Sequence, residues 1–290
     1  MHTLENNCKN TRVFAFADDV KLLSCDPCDL QKALDITQSW SQVWNLKINP
    51  DKSEHISFPS SRSSSGNVNT FFLNYKPVSK RDNVRDLGLT LSNNFKWSNY
   101  VSKTTAKAKV TAYSILRAFK STDSKLLTNL YKIYVRPKLE YNTSIWNPNL
   151  ICDINSIESV QRQFTKRACQ RSNIKFNNYL DRLRILNLES LEIRRVKKDL
   201  ILMFKIYYGL IDITFQDFFS HHNGTNTRGH AYRLHIPKHS GSSVRENFFA
   251  NRILSIWNKL PEEILTSSSI QSFKIKLNEF DLHGLFKSIF

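Results

Sequence analysis

One stretch of residues determines the fold of the first part of the chain: Arg12-Val13-Phe14-Ala15-Phe16-Ala17-Asp18-Asp19-Val20-Lys21-Leu22-Leu23-Ser24. β-branched and aromatic residues are frequent at both ends of this stretch, and Ala17-Asp18-Asp19 separates the two ends. The stretch therefore predicts two short strands joined by a tight hairpin. Apolar residues occupy both faces of each strand, which predicts that the hairpin lies in a buried sheet.

Asp18 and Asp19 place two carboxylates side by side at the predicted tip of this hairpin. Aspartate is common in solvated turns, so the pair is compatible with an ordinary turn. It is also compatible with a divalent-cation site, because Mg²⁺ prefers carboxylate oxygens and paired ions can hold the attacking and leaving oxygens of a phosphoryl transfer. The surrounding sequence has to decide between the two interpretations.

A helix and several short strands follow the hairpin. Asp26-Pro27 predicts a helix start. Its apolar stripe consists of Leu30, Ala33, Leu34, Thr37, Trp40, Val43 and Trp44. Further strands are predicted at 46–48, 54–58, 70–75 and 84–91, with a polar loop at 60–66. The first 95 residues therefore have α+β character.

The hydrophobic period changes near residue 96. An amphipathic helix is predicted from Trp97 by the stripe Val101, Thr105, Ala108, Ala112, Ile115 and Phe119. Further helices are predicted at about 124–135, 154–171, 188–209, 245–258 and 269–280. We therefore expect a sheet-containing unit at 1–95, a helical unit at 96–210, and a C-terminal segment of loops and short helices at 211–290.

The charge of the chain is strongly positive and unevenly distributed. The 290 residues include 42 Lys and Arg against 25 Asp and Glu, a net charge of +17. Residues 1–95 hold 11 of the basic and 10 of the acidic residues, so nearly all of the excess lies from residue 96 onward. Such an excess can simply keep a protein in solution. Its interleaving with aromatic residues favours a polyanionic partner, and nucleic acid in particular.

Composition excludes several classes of protein. Apolar residues make up 40% and charged residues 23%, which excludes a wholly disordered or collagen-like chain. No apolar run approaches the roughly 20 residues of a membrane span. The first residues also lack a secretory pattern, so we expect a soluble intracellular protein with no membrane partner. Five cysteines spread over the chain predict reduced thiols rather than a disulfide scaffold.

Two groups of potential metal ligands lie outside these patterns. Cys25 and Cys28 have CxxC spacing, but no second cysteine pair accompanies them, so the spacing argues poorly for zinc or redox chemistry. Five tail histidines without nearby cysteines favour polar loop positions or nucleic-acid contacts over a zinc site: His221, His222, His230, His235 and His239.

An ordered series of motifs resembles the reverse transcriptases of non-LTR (LINE-type, jockey-like) retrotransposons. Phe16-Ala17-Asp18-Asp19 is similar to the metal motif of that family, and Asn49-Pro50-Asp51-Lys52-Ser53-Glu54 is similar to its next motif. The resemblance continues through residues 84–91, 130–141, 146–148, 158–162, 165–168 and 255–261, and so covers nearly the whole chain. The aspartate pair is a weak signal by itself, whereas the ordered series is a strong one.

The resemblance implies an RNA-directed DNA polymerase with part of a palm at 1–95 and a thumb at 96–210. Asp18 and Asp19 would bind Mg²⁺, or Mn²⁺ in its place, with Asp18 the principal ligand. Lys52 would assist the departure of pyrophosphate, unless it is an ordinary turn lysine. The implied substrates are an RNA template, a DNA primer duplex and deoxynucleoside triphosphates. The implied location is the nucleus or a cytoplasmic ribonucleoprotein particle.

Three basic clusters would contact the template–primer in such a thumb, because neutralised phosphates supply sequence-independent affinity. Any one cluster is more often a solvated helix face, but three in one unit favour nucleic acid. The first contains Lys103, Lys107 and Lys109, the second Gln161, Arg162, Lys166, Arg167 and Arg171, and the third Arg194, Arg195, Lys197 and Lys198.

The chain also departs from the family pattern. Family enzymes carry another metal-binding aspartate and a nucleotide-selecting segment well upstream of the Ala-Asp-Asp motif, whereas 15 residues precede Phe16 here. We expect the C-terminal portion of a longer enzyme, a truncated element copy or an incomplete gene model, with little or no polymerase activity by itself. The alternative is a non-catalytic nucleic-acid-binding protein descended from such an enzyme.

Overall fold

The computed structural model describes residues 8, 10–58, 70–221, 230–237 and 243–282. The chain forms two compact units, Met1–Lys96 and Trp97–Phe290. Among the described residues, all strands lie in the first unit, and the second is helical. This mixture of helices and small sheets is compatible with the predicted α+β class. No described helix combines the length and the apolar character that a membrane crossing requires.

Strands β1 (Thr11–Phe16) and β2 (Asp19–Ser24) form the predicted antiparallel hairpin. Val13 pairs with Leu22 across it, and both pack towards the helix α1 (Pro27–Val43). Side chains alternate between the two faces of a strand. One face of the hairpin is therefore covered by α1.

The opposite face of the hairpin is open to solvent. Phe14, Phe16 and Leu23 project from it, and each is more than half exposed. The predicted buried sheet is therefore wrong for the described structure. The reason is that the sheet has only two strands, so no neighbouring strand or second layer covers this face.

Helix α1 begins where the sequence predicted. The Asp26 carboxylate caps it by accepting a hydrogen bond from the Cys28 amide at 2.9 Å. The far end of the predicted apolar stripe is not buried: the rings of Trp40 and Trp44 are exposed, with their centroids 6.5 Å apart. Buried positions on this helix end at Ser41, so the stripe extends beyond the part of the helix that is covered.

Short strands complete the first unit. They are shorter than predicted, and residues 46–48 form no strand. Parallel pairing joins β3 to β6 and antiparallel pairing joins β4 to β5. The bounds are β3 Glu54–His55, β4 Phe72–Leu73, β5 Lys76–Pro77 and β6 Ser79–Lys80.

The predicted single strand at 84–91 is a second hairpin, formed by β7 (Asn83–Asp86) and β8 (Leu89–Ser92). Leu87 and Gly88 connect the two strands with φ angles of 43° and 86°. A two-residue turn with positive φ at both positions matches the twist of the flanking strands. Gly88 adopts this conformation without steric cost, and it is the residue that reverses the chain direction.

The second unit contains twelve α-helices among its described residues. A π-helical turn at Tyr131–Val135 joins α3 to α4. The bounds are α2 Ser98–Ala118, α3 Ser124–Leu130, α4 Arg136–Glu140, α5 Thr143–Trp146, α6 Ile151–Arg171, α7 Tyr179–Ile185, α8 Leu191–Tyr207, α9 Ser243–Glu246, α10 Phe249–Arg252, α11 Leu254–Trp257, α12 Glu262–Leu265 and α13 Ile270–Glu279.

Most of these helices were predicted, with differences at their ends. The helix predicted at 188–209 starts at Leu191 because the Ser190 hydroxyl caps it, accepting from the Ile193 amide at 3.3 Å. The helix α7 was missed, although Asn178 is a good cap for it. The helix predicted at 245–258 is divided into the short helices α9, α10 and α11.

Helix α8 runs through the main core of the second unit. Its apolar residues pack with α10 to α13 in one cluster, in which the rings of Phe204 and Phe273 stack with centroids 4.3 Å apart. On another side, α8 packs against α5 and α6. Because this helix has neighbours on several sides, its polar residues also lie among other elements.

Candidate metal site and nucleic-acid interface

Ala17 and Asp18 form the turn of the first hairpin, and Asp19 is the first residue of β2, paired with Phe16. Ala17 has a φ of 52°. This left-handed conformation costs a non-glycine residue roughly 1–2 kcal/mol. Such strain persists where the surrounding pairing holds the backbone. The hairpin therefore fixes the direction in which the two carboxylates leave the chain.

Asp18 and Asp19 are both exposed. Neither forms a hydrogen bond or ion pair with another described residue. Two adjacent carboxylates with free oxygens are hard donors of the kind that Mg²⁺ prefers. Across the described part of the chain, no group of three or more His, Cys, Asp and Glu side chains is placed to hold a metal ion. The aspartate pair therefore fits part of a metal site rather than a complete one.

Lys52 ends a 3-10 turn, Pro50–Lys52, and is exposed. Asn49 opens this turn by accepting a hydrogen bond from the Asp51 amide at 2.9 Å. Within the described residues, no contact joins Lys52 to the aspartate pair. The role of Lys52 in pyrophosphate departure therefore stays a prediction.

The carboxylate hairpin is attached to the second hairpin of the same unit by an interaction that the sequence did not predict. Lys21 of β2 forms an ion pair with Asp86 at the end of β7. Both side chains are about one-third exposed, and an ion pair at such positions contributes less than about 1 kcal/mol. Its main effect is to orient one hairpin against the other.

The first two basic clusters lie mostly on the surface of the second unit. Lys103, Lys107 and Lys109 are exposed on α2, and Arg162, Lys166 and Arg167 are exposed on α6. Gln161 is different, because it is fully buried and donates to the Tyr179 hydroxyl and the Glu189 carbonyl. The exposed cations can reach a polyanion, whereas Gln161 cannot.

The third cluster is engaged inside the protein. Arg195 is 1% exposed, and its Nε donates to Asn147 Oδ1 at 2.8 Å. Lys197 is buried and donates to Glu189 and to Asn278 Oδ1. A phosphate backbone does not reach buried side chains, so we exclude Arg195 and Lys197 from the interface. Their burial follows from the central position of α8.

Arg194 and Lys198, from the same cluster, both bind Glu140. Arg194 forms two hydrogen bonds with its carboxylate, and Lys198 Nζ lies 3.1 Å from Oε2. Burial by itself would raise the pKa of Glu140, but the hydrogen bonds and positive charges of Arg194 and Lys198 outweigh it, so the pKa lies below its ordinary value. These residues hold α4 against α8.

The other candidate metal ligands form no metal cluster in the described structure. All five cysteines are free, and Cys25 and Cys28 are exposed. His221 packs against aromatic rings, with its centroid 5.0 Å from that of Phe215. Burial lowers the pKa of His230. His222 and His239 lie outside the described residues.

Comparison with known proteins shows which family the first unit resembles. Residues 1–91 match the family model described as reverse transcriptase (RNA-dependent DNA polymerase). This range contains both aspartates and Lys52. No solved structure matches the chain.

Three curated proteins are similar to longer stretches of the chain. An uncharacterized protein of Caenorhabditis elegans is 28% identical over 113 residues, which is 39% of this chain and 57% of that protein. The probable RNA-directed DNA polymerase from transposon X-element of Drosophila melanogaster is 28% identical over 164 residues, 52% of this chain and 17% of the relative. The RNA-directed DNA polymerase from mobile element jockey, also of Drosophila melanogaster, is 25% identical over 164 residues, 53% of this chain and 18% of the relative.

The first 91 residues of the chain are similar to the reverse transcriptase family. Its similarity to the jockey and X-element polymerases identifies it as a relative of the non-LTR retrotransposon enzymes. The resemblance that the motifs indicated is therefore confirmed. The chain spans less than one-fifth of the length of these two polymerases.

Proposed function

We propose that the chain is the C-terminal palm and thumb portion of the RNA-directed DNA polymerase of a non-LTR retrotransposon. The observation that carries this proposal is the position of the two aspartates: Asp18 lies in a strained two-residue turn and Asp19 directly follows it, inside the segment that matches the reverse transcriptase model. The first unit would supply part of the palm. The basic second unit would be the thumb.

Asp18 and Asp19 would hold Mg²⁺, with Asp18 as the principal ligand. A bound divalent ion would neutralise the charge that develops on the phosphate oxygens during nucleotide transfer. Lys52 would stabilise the pyrophosphate that departs. The turn strained at Ala17 would keep both carboxylates in a fixed direction, so that little reorganisation is needed when the ion binds.

These 290 residues by themselves would copy a template poorly or not at all. A two-metal site needs more carboxylates than one adjacent pair, and the described residues place no third ligand beside this pair. A carboxylate from polypeptide outside these residues would complete the site. This chain matches less than one-fifth of the length of the two polymerase relatives, which is in accord with this proposal.

The second unit would bind the template–primer through the exposed cations of α2 and α6. The six side chains concerned are Lys103, Lys107, Lys109, Arg162, Lys166 and Arg167. Each phosphate contact releases counterions, so affinity should fall steeply as salt is added. We place this activity in the nucleus or in a cytoplasmic ribonucleoprotein particle.

The alternative function is nucleic-acid binding without catalysis. The observation that favours it is the distribution of charge, because residues 1–95 are nearly neutral while the rest carries almost the whole net charge of +17. Binding by the second unit therefore does not depend on the carboxylates of the first. A relic of a polymerase would retain this property after losing synthesis.

Three measurements on the purified chain test these proposals. Mn²⁺ binding, followed by electron paramagnetic resonance, should weaken at least tenfold in Asp18→Asn and remain unchanged in the exposed control Asp212→Asn. Binding of an RNA–DNA template–primer should depend steeply on salt and persist in both variants. Primer extension with Mg²⁺ should be absent.

Each measurement can overturn one part of the proposal. Equal Mn²⁺ affinity in Asp18→Asn would remove the metal site and favour the non-catalytic relic. Extension that Asp18→Ala abolishes would overturn the proposed inactivity, because the chain would then complete its own site. Template–primer binding with a flat salt response would remove the thumb assignment.

A further inference from the structure

Helices α2 and α6 pack side by side in the same direction and leave a groove between them. At one end the Ser98 hydroxyl donates to Asp153 at 2.6 Å, and at the other end Arg171 donates to the carbonyls of Leu116 and Phe119. A cavity of about 500 Å³ opens at the Arg171 end. A smaller depression of about 30 Å³ continues it towards Lys109.

The groove has an apolar floor and basic walls. Its floor consists of Ala112, Leu116, Val160 and Phe164, all buried. The cations that line it are Lys109, Arg117, Lys120, Arg167 and Arg171, and no carboxylate lines either depression. In the described structure, the first four of these cations form no ion pair. Their charge is therefore available to an anionic ligand.

Arg171 gives this site a defined shape. Its guanidinium satisfies carbonyls at the C-terminal end of α2, which would otherwise lack partners. It also places positive charge where the helix dipole is negative. The end of α2 is thereby held against α6 at this end of the groove.

Tyr113 lies at the centre of the groove. It lines both depressions and is 56% exposed. Lys109 and Arg117 lie one helical turn before and after it on the same side of α2. An exposed aromatic ring flanked by cations is the arrangement on which a nucleobase stacks while the neighbouring phosphates are neutralised.

We propose that the groove between α2 and α6 binds single-stranded nucleic acid, with a base stacked on Tyr113 and phosphates on Lys109, Arg117 and Arg167. A duplex keeps its bases paired and stacked, so it offers no free base to Tyr113. The inference extends the proposed function. It rests on that proposal only for the identity of the strand, which would be the unpaired part of the template next to the duplex.

Fluorescence anisotropy on the full chain tests the inference, with a labelled single-stranded oligonucleotide and a duplex of equal length at one salt concentration. Tyr113→Ala should weaken single-strand binding about 5- to 100-fold and change duplex binding less than twofold. Tyr113→Phe should retain the wild-type affinity, because it keeps the ring. Tyr134→Ala is the matched control, since Tyr134 is 55% exposed and lies outside the groove.

An oligonucleotide with abasic sites provides a second measurement. It keeps the phosphates but lacks bases, so wild type should bind it as weakly as Tyr113→Ala binds the normal strand. Tyr113→Ala should bind this abasic oligonucleotide with the same affinity as wild type. Arg117→Gln with Arg167→Gln should reduce binding of both oligonucleotides, whereas Arg184→Gln with Lys274→Gln, at exposed positions outside the groove, should do so much less.

The possible outcomes separate this inference from the proposed function. Unchanged single-strand affinity in Tyr113→Ala, or an equal loss for duplex and single strand, would overturn the groove site. Duplex binding by wild type without single-strand binding would overturn the groove site and leave the proposed thumb. Single-strand binding without duplex binding would support the groove and remove the thumb assignment, and no binding of either would remove both.

Discussion

Asp19 pairs with Phe16 across the β1–β2 hairpin, which leaves Ala17 and Asp18 as the two residues of the turn. Because Ala17 has a φ of 52°, the side chain at this position decides the strain of the turn. We expect Ala17→Gly to change the free energy of unfolding by less than about 1 kcal/mol. Glycine relieves the strain of the turn, but it also makes the unfolded chain more flexible, so the two effects oppose each other. Ala17→Val should destabilise the hairpin by more than about 1 kcal/mol.

Hydrogen exchange of the β1 and β2 amides measures this effect locally. Protection should fall in Ala17→Val and persist in Ala17→Gly. Ala15→Val serves as the control, because Ala15 lies within β1 and strand geometry suits a β-branched residue. Equal protection in Ala17→Val and Ala15→Val would contradict the left-handed turn.

Glu140 should make the stability of the second unit sensitive to acid. Its pKa is below the ordinary 4.5 because Arg194 and Lys198 outweigh the effect of burial. The carboxylate therefore contributes stability that is fully present above pH 4.5 and is lost as the pH falls through the lower pKa of the folded state. Glu140→Gln should lower the free energy of unfolding at pH 7 by about 3 kcal/mol, because two cations lose their partner.

Urea unfolding between pH 3 and pH 7 measures this contribution. The difference between wild type and Glu140→Gln should narrow below pH 4.5. Glu279→Gln is the control, because Glu279 is exposed on α13. A difference that stays constant across this range would show that the ionised form of Glu140 is not the source of the stabilisation.

Arg195 and Arg167 should respond to substitution in opposite ways. Arg195 is buried with Asn147 as partner, so Arg195→Ala should cost about 3 kcal/mol or more of stability through a cavity and an unpaired amide. Arg167 is exposed, so Arg167→Gln should change stability by less than about 0.5 kcal/mol. It should also reduce the slope of log affinity against log salt concentration by an amount that corresponds to about one phosphate contact.

Thermal unfolding and a salt titration of binding distinguish these two roles. Arg195→Ala and Arg167→Gln each remove one arginine charge, so each variant is the control for the other. A stable Arg195→Ala variant with reduced nucleic-acid affinity would contradict the structural role. An Arg167→Gln variant with an unchanged salt slope would remove Arg167 from the interface.

Trp40 and Trp44 form an exposed aromatic pair at the end of α1. Exposed apolar patches promote association between molecules. Changing both residues to Ser should reduce self-association and lower the free energy of unfolding by about 1–3 kcal/mol, because Trp40 is 41% exposed and the covered part of its ring is lost. Sedimentation velocity measures the association, and a large loss of stability would show that the rings are packed in solution.

Local structure was the part of this fold that could be predicted from the sequence. The hairpin at Asp18-Asp19, the cap at Asp26 and the amphipathic helix α2 were all predicted, because each depends on residues close together in the chain. The hairpin at Leu87-Gly88 was missed, although Gly88 marked a possible turn. The motif order identified the family for a similar reason, since it needs only residue types and spacing.

Tertiary structure decides which charged side chains are buried, which are paired and which are exposed. The sequence predicted nucleic-acid contacts from eleven basic residues in three clusters, but α8 places Arg195 and Lys197 inside the protein and pairs Arg194 with Glu140, 54 residues away. Likewise, the groove around Tyr113 exists only because α2 packs against α6. Residue type and local periodicity determine which elements form and which side chains carry charge. Whether a charge reaches solvent, a carboxylate or a ligand depends on which distant elements pack against it.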